Sequence, residues 1–209
     1  MGLNCGCPVG AALPDVTING CKESLGQVQK VIFQRIFSTG VTKNSFPAAS
    51  PTATGDITLK ASWTAAISAT DGTKVVVSPY IQNPETEAGA ARTFGGGNQT
   101  LSGAEIIIGR EPTTFTGILY QEAQSTIAAL KQLMCENIGV YLIDENGNIG
   151  AIVADGKAYP IPITRFFVGD KNLGGLEEPD SNAIEWQFLP NWSDSLEIIK
   201  PSFNPLTEL

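Results

Sequence analysis

Residues 140–153 read VYLIDENGNIGAIV, and this stretch decides the class of fold. Two apolar runs, Val140–Ile143 and Ile149–Val153, flank the turn Glu145-Asn146-Gly147-Asn148. An Asn-Gly pair between apolar runs is the strongest short-range signal for a β-hairpin, because the favoured turn needs residues that tolerate a positive φ. The sequence therefore predicts two antiparallel strands here.

Further strands are predicted on both sides of this hairpin. Residues 28–37 are dense in β-branched and aromatic side chains, which favours a long strand, although Val28, Ile32 and Ile36 also fit a helical period. The other predicted strands are Lys74–Tyr80, Ile106–Ile108, Thr113–Tyr120, Ile161–Val168 and Ala183–Leu189.

Two segments carry helical periodicity. One helix has a single apolar face, is expected to stop at Asn137-Ile138-Gly139, and has Cys135 on its apolar side. Its apolar face consists of Ala123, Ile127, Leu130 and Met134. A second helix, for which Asp56 is the candidate N-cap, is indicated by Leu59, Trp63, Ala66 and Ile67. The predicted fold class is β-rich, a β-sandwich or a curled, barrel-like sheet flanked by one or two helices.

Three stretches lack periodicity. Residues 1–24 are broken by Gly and Pro and are predicted to form an extended N-terminal arm, followed by a single β-rich domain over residues 25–209. Residues 40–55 and 83–103 are predicted to be loops inserted in that domain. The second is too long for an ordinary hairpin turn, which indicates a loop with a function of its own.

The chain contains no histidine and has a net charge of -8. Histidine is the commonest general base and metal ligand, and binding to phosphates relies on Lys and Arg. The glycines of 95–97 lack the Gly-Lys-Ser/Thr of a phosphate-binding loop. The acidic groups at 144–145 and 177–180 lie in predicted turns, where solvated carboxylates are the default. We therefore predict that the chain is not an enzyme and binds no cofactor.

The four cysteines and three tryptophans suggest no binding site. Cys5, Cys7, Cys21 and Cys135 match no usual spacing of a structural zinc site, so no metal site is predicted. Trp186 and Phe188 are two residues apart, which places them on one face of a strand, and they are predicted to pack in the core. Trp192 is predicted to anchor the turn that follows.

Several segments together resemble the virion proteins of tailed bacteriophages that infect Bacteroides-type hosts, in particular the tail tube (major tail) protein. These segments are Gly26–Gln34, Phe94–Asn98, Glu111–Thr116, Ile184–Phe188 and Asn191–Asp194. The resemblance implies a β-sandwich or barrel-like subunit with a helix packed on one side. It further implies that such subunits stack as hexameric rings, in which strands from six copies close a continuous inner barrel.

The resemblance also implies the partners and the location of the chain. The partners would be further copies of itself and other tail and neck proteins, without membrane insertion. DNA would pass through the lumen without sequence-specific binding, and an acidic lumen would repel its phosphates. The protein would belong to the virion tail and be assembled in the host cytoplasm. The candidate subunit-interface residues are Pro8, Pro14, Phe46, Arg92, Phe94, Gly95, Gly96, Gly97 and Asn98.

Other hypotheses stay open at this point. The nearest is another ring-forming virion component, such as a head–tail connector, a terminator or a neck protein. A carbohydrate-binding β-sandwich that uses Trp63, Trp186 or Trp192 is a hypothesis of a different class. An enzyme comes last, and its only credible form is a hydrolase with two carboxylates.

Overall fold

Strands dominate the computed structural model, which describes residue 16 and residues 24–48, 55–100 and 103–209. The strands are β1 (Val28–Arg35), β2 (Phe37–Thr39), β3 (Thr42–Lys43), β4 (Phe46–Pro47), β5 (Val75–Val77), β6 (Gln82–Glu87), β7 (Ala91–Gly95), β8 (Glu105–Arg110), β9 (Thr113–Tyr120), β10 (Ile138–Asp144), β11 (Ile149–Ala154), β12 (Lys157–Tyr159), β13 (Ile161–Val168), β14 (Ser181–Phe188) and β15 (Leu196–Ile199). The helices are α1 (Lys60–Ser68), α2 (Gln124–Gln132) and α3 (Pro205–Glu208), and a 3-10 helix covers Leu133–Cys135. The predicted β-rich fold class is confirmed.

The main antiparallel sheet divides at β10. One edge of β10 pairs with β1 along its whole length, from Val28 opposite Asp144 to Arg35 opposite Ile138. The other edge pairs with β11 near Ile143 and with β13 near Val140. The first layer therefore contains β5, β1, β10, β11, β12 and β4, with β15 beside β11, and the second layer contains β13, β14, β9 and β6.

An aromatic core lies between the two layers. Phe33 of β1 packs 4.9 Å from Phe166 and 6.4 Å from Trp186, measured between ring centroids. Trp186 is completely buried and stacks on Phe115 at 4.0 Å. Trp192 stacks on Phe188 at 4.3 Å just after β14. The predicted core role of Trp186 and Phe188 is confirmed, and Trp192 anchors the turn as expected.

A second core covers the other face of the first layer. Tyr141 of β10 lies 5.1 Å from the ring of Trp63 in α1, and Leu206 of α3 belongs to the same cluster. Strands β1 and β10 are therefore buried on both faces, and strands in that position are apolar throughout rather than alternating. This double burial explains why residues 28–37 show no clear period, and the predicted strand is confirmed as β1.

The predicted hairpin of residues 140–153 is confirmed as β10 and β11, and a buried carboxylate organises its turn. Asp144 has no exposed surface and accepts hydrogen bonds from the backbone N–H groups of Asn146 and Asn148 at 2.9 and 2.8 Å. It also accepts from the Gly26 N–H at 3.1 Å and from Asn148 Nδ2 at 2.9 Å. Asp144 is thus committed to structural hydrogen bonds.

Three local predictions about the helices were wrong. Cys135 is exposed in the 3-10 helix and does not lie on an apolar helix face. Ile138 and Gly139 begin β10 and do not end a helix, because the apolar run continues into the sheet. Leu59 is the N-cap of α1, while Asp56 accepts from the Thr58 N–H at 2.8 Å and holds the turn before the helix.

The predicted loops contain strands. Residues 83–103 include most of β6 and all of β7, and the described part of 40–55 includes β3 and β4. Only Val75–Val77 forms a strand within 74–80. The predicted N-terminal arm, including Pro8 and Pro14, lies outside the described residues apart from residues 16 and 24.

Candidate assembly surfaces

A hairpin extends from one end of the second layer. Strands β6 and β9 pair in the layer, and β7 and β8, which follow β6 and precede β9, pair only with each other among the described strands. We call residues 91–100 and 103–110 the hairpin arm. At its base the Glu111 N–H donates to the Ala90 carbonyl at 2.8 Å. A Cβ at Gly89 would lie 1.9 Å from the Glu111 carbonyl oxygen, so the base requires glycine at that position.

The hairpin arm exposes large apolar side chains on both of its faces. Phe94, Ile106, Ile107 and Ile108 are 51%, 53%, 56% and 59% exposed. Phe94 pairs with Ile106, and Thr93 pairs with Ile107. Because paired residues share a face and successive residues alternate, Ile106 and Ile107 point to opposite faces. Exposed apolar patches of this kind mark interaction sites.

Six of the predicted interface residues lie together on this arm. Arg92, Phe94 and Gly95 belong to β7, and Gly96, Gly97 and Asn98 begin its tip. The three glycines have φ values of 115°, 96° and 55°, which L side chains rarely adopt, so the tip conformation depends on them. Phe46 lies apart from the arm, buried in the second core at 4.5 Å from the ring of Trp63. The role of these residues in an interface stays a prediction.

Sequence reasoning missed the apolar part of the arm. The run Ile106–Ile108 was predicted correctly as a strand, but a run of β-branched residues usually indicates a buried strand. Here it lies beyond the layer, where no described strand or helix covers it. One feature of the sequence could have indicated the exposure of this run: it follows the Gly-rich segment Gly95–Gly97, and such a segment is typical of the tip of a projecting hairpin.

The outer face of the second layer carries three glutamates, together with Phe167, which pairs with Glu185 and is 47% exposed. The strand register places Glu85, Thr116 and Glu185 in one row across β6, β9 and β14. The next row contains Glu87, Thr114 and Gln187. These side chains alternate with Phe115 and Trp186, which point into the core, so both rows face away from it. We call these six residues the acidic face.

Both edges of the second layer lack a further strand partner over most of their length within the described part of the chain, although α2 and the 3-10 helix contact β13. Strand β6 pairs with β9 on one side only. Strand β13 pairs with β10 only near Ile161 and Pro162, so from Ile163 to Val168 only its β14 side is paired. Open edges carry unpaired N–H and C=O groups and are templates for pairing with another chain.

The described residues give no support for a metal site or for sugar binding by Trp63 or Trp186. No group of three or more Asp, Glu or Cys side chains among them is placed to hold a metal ion. Trp63 and Trp186 are fully buried, so neither can stack on a sugar ring. Within the described ranges, no helix is long and apolar enough to cross a membrane.

Comparison with solved structures yields a likeness to a tail protein. No protein-family model and no curated protein matches the chain. Among solved structures, a chain from the tail of an empty GTA particle, obtained by helical refinement with C6 symmetry, is similar over 56% of this chain and 81% of its own length. The sequence identity is 12% and the TM-score is 0.34. A TM-score this low does not establish a common fold.

Proposed function

We propose that this chain is a structural protein of a phage-like tail, which assembles with copies of itself into stacked rings around a DNA conduit. The observation that carries the proposal is the second layer, a four-stranded sheet with two open edges, an apolar inner side and an acidic outer face. The sequence segments that resemble tail tube proteins support the same conclusion.

Ring closure would use the two open edges. The β6 edge of one copy would pair with the β13 edge of the next, which satisfies the unpaired backbone groups of both. A contact between two different surfaces is heterologous, and it forms a ring when the rotation between copies closes. Six copies per ring is the number that the resemblance implies. Closure would join the second layers into one continuous inner barrel.

The acidic face would then line the conduit. Glu85, Glu87 and Glu185 contribute three carboxylates per copy, and every copy in a ring repeats them. A lumen lined by one sign of charge has a potential of several kT, which repels DNA phosphates and lets the genome pass without sticking. Thr114, Thr116 and Gln187 are polar and uncharged, while Arg165 lies beside Gln187 and Thr114 and Phe167 pairs with Glu185, so the negative charge of this face depends on the three glutamates.

Electron microscopy of the purified full chain tests this proposal. Rings or tubes are expected at high protein concentration, and a map should place the acidic face toward the channel. Monomers at every concentration would contradict the proposal, as would a map with the acidic face turned outward. A connector or neck protein would stop after one or two layers, whereas a tube protein continues to polymerise.

A further inference from the structure

Each edge strand of the second layer contains a β-bulge. Of the three strand pairs in this layer, only the central one is regular, since β9 and β14 pair without a break over eight residues. On β6 the pairing with β9 shifts between Gln82 and Glu85, and on β13 the pairing with β14 shifts between Thr164 and Phe167. Each edge strand thus carries one residue more than its neighbour at the shift.

Both bulges hold a side chain in the left-handed backbone region. Asn83 has a φ of 47° and Arg165 has a φ of 51°. Glycine is the usual residue in a bulge of this conformation, asparagine tolerates it, and a bulky side chain such as that of arginine is strained there. Strained residues cluster at functional sites. The two bulges are therefore candidates for a role beyond the fold of the single chain.

The β6 bulge is also built into the neighbouring strand. Gly117 of β9 lies between the partners of Gln82 and Glu85, opposite the extra residue of the bulge. A Cβ at Gly117 would lie 2.3 Å from Cγ2 of the buried Ile81, which fills the space that a side chain would need. Strand β9 therefore requires glycine at this position, and the bulge is specified by both strands.

The bulge leaves only part of the β6 edge able to accept another strand. Pro84 has no N–H to donate to a new partner, and Asn83 departs from the extended backbone that a ladder requires. Glu85–Glu87, in contrast, pairs regularly with β9 and keeps a regular outer edge. Bulges and prolines are means by which edge strands limit uncontrolled pairing. On β6 they confine pairing to Glu85–Glu87.

The charges beside the bulges disfavour pairing between like edges. Glu85 and Glu87 lie on the outer face of β6, and Arg165 is exposed on the same face at the other edge, beside Gln187. Pairing β6 with β6 would bring carboxylates together, and pairing β13 with β13 would bring guanidinium groups together. Like charges on neighbouring strands are destabilising, whereas opposite charges stabilise. The edges therefore select the unlike edge of a second copy.

We infer that the two bulges fix the register in which the β6 edge of one copy pairs with the β13 edge of the next, with Glu85–Glu87 as the contact segment on β6. This inference rests on the proposed function and names the residues that decide the seam of the ring. A slip of one residue would turn every side chain of a strand to the opposite face. Slipped pairings toward the start of β6 are excluded because they would meet Pro84 and Asn83.

Hydrogen exchange of the unaltered full chain, compared between the monomer and the assembled rings or tubes, tests the contact segment. Amides of Glu85–Glu87 that face away from β9 should exchange more slowly by about tenfold or more after assembly, because each gains a hydrogen bond. Gln82 and Asn83 should keep the rates that they have in the monomer. Protection of Gln82 and Asn83 on assembly, or none within Glu85–Glu87, would overturn the inference.

Removal of the bulge provides a second readout. Deletion of Pro84 leaves a single residue opposite Gly117, so that β6 can pair regularly along its whole length. Electron microscopy should then show mixed ring sizes or side-by-side aggregates, whereas the matched control Asn83→Gly, which keeps the bulge, should form the rings of the unaltered chain.

The outcomes separate this inference from the proposed function. If the deletion variant forms rings of the normal single size, the bulge does not set the register, and the proposed ring and conduit stand. If the deletion prevents folding, the exchange rates of the unaltered chain decide the question on their own. If the unaltered chain forms neither rings nor tubes, the proposed function fails together with the inference.

Discussion

Replacing Asp144 by asparagine is a sharp test of how the central hairpin is held. In the folded chain Asp144 Oδ1 accepts from the backbone N–H groups of Asn146 and Asn148, and Oδ2 accepts from the Gly26 N–H and Asn148 Nδ2. An asparagine amide keeps one acceptor oxygen. The NH₂ group of the asparagine would take the place of Oδ2. It would then point at the Gly26 N–H and at Asn148 Nδ2, and because all of these groups are donors, neither hydrogen bond could form.

The expected cost follows from the number of bonds lost. A hydrogen bond to a charged group contributes about 1.5–3 kcal/mol, so loss of both bonds at Oδ2 costs roughly 3–6 kcal/mol. Asn148 can rotate its amide and present its oxygen, which recovers one bond, whereas the Gly26 N–H has no such freedom. The net loss is one bond, so we expect Asp144→Asn to lower the free energy of unfolding by about 1.5–3 kcal/mol, a large share of the roughly 5–15 kcal/mol typical of domains.

Urea unfolding at a concentration where the chain is monomeric measures this difference. The matched control is Asp155→Asn, because Asp155 is exposed in the turn between β11 and β12 with a φ of 51°, which asparagine tolerates. The control should change the free energy of unfolding by less than about 0.5 kcal/mol. Equal effects of the two substitutions would refute the reasoning, since they would mean that the buried hydrogen bonds contribute nothing specific.

Three further outcomes are expected. Leu130→Asp places an unpaired charge in the core under α2, where Leu130 is 3% exposed, so the variant should be insoluble, whereas Ala129→Asp on the exposed face should express as soluble protein. Burial raises the pKa of Tyr141 well above its ordinary value of 10, so above that pH the folded state keeps a proton that the unfolded state loses. The free energy of unfolding should therefore fall as the pH rises above about 10. Urea titrations at several pH values should show that Tyr141→Phe removes this part of the pH dependence. Replacing residues 91–110 by a short glycine linker should keep the thermal midpoint within a few degrees by scanning fluorimetry, because the arm contributes to neither core. The same variant should assemble less than the unaltered chain by size-exclusion chromatography, because it lacks the exposed apolar side chains of the arm; assembly into normal tubes would show that the arm is not an assembly surface.

The sequence predicts best those parts of the fold in which the local sequence pattern matches the burial of the residues in the structure. The turn at Asn146-Gly147 needs a positive φ, which Gly147 adopts at 77°. Strand β9 alternates because only one of its faces is buried, so its predicted bounds Thr113–Tyr120 match the structure. Strand β13 was likewise predicted with its observed bounds, Ile161–Val168.

The candidate surfaces were harder to predict, because they depend on pairing between distant segments. Glu85 and Glu185 share a row only through Thr116 of β9, and a register shift between Gln82 and Glu85 helps to set that alignment. The residues that flank Glu85 and Glu185 in the sequence do not indicate that the two glutamates share a face. The exposure of Ile106–Ile108 is also non-local, since it depends on which other segments pack against the strand, and none of the described helices or strands covers it.

Strand β8 has a consequence for the free subunit. A short, exposed β-branched segment is a site where chains can aggregate by stacking of identical strands. Here the segment is bounded by Glu105 and Arg110, and charges at the ends of such segments act as gatekeepers against uncontrolled association. We therefore expect Glu105 and Arg110, two charged side chains outside both cores, to limit aggregation of the chain in solution in addition to the stability of the fold.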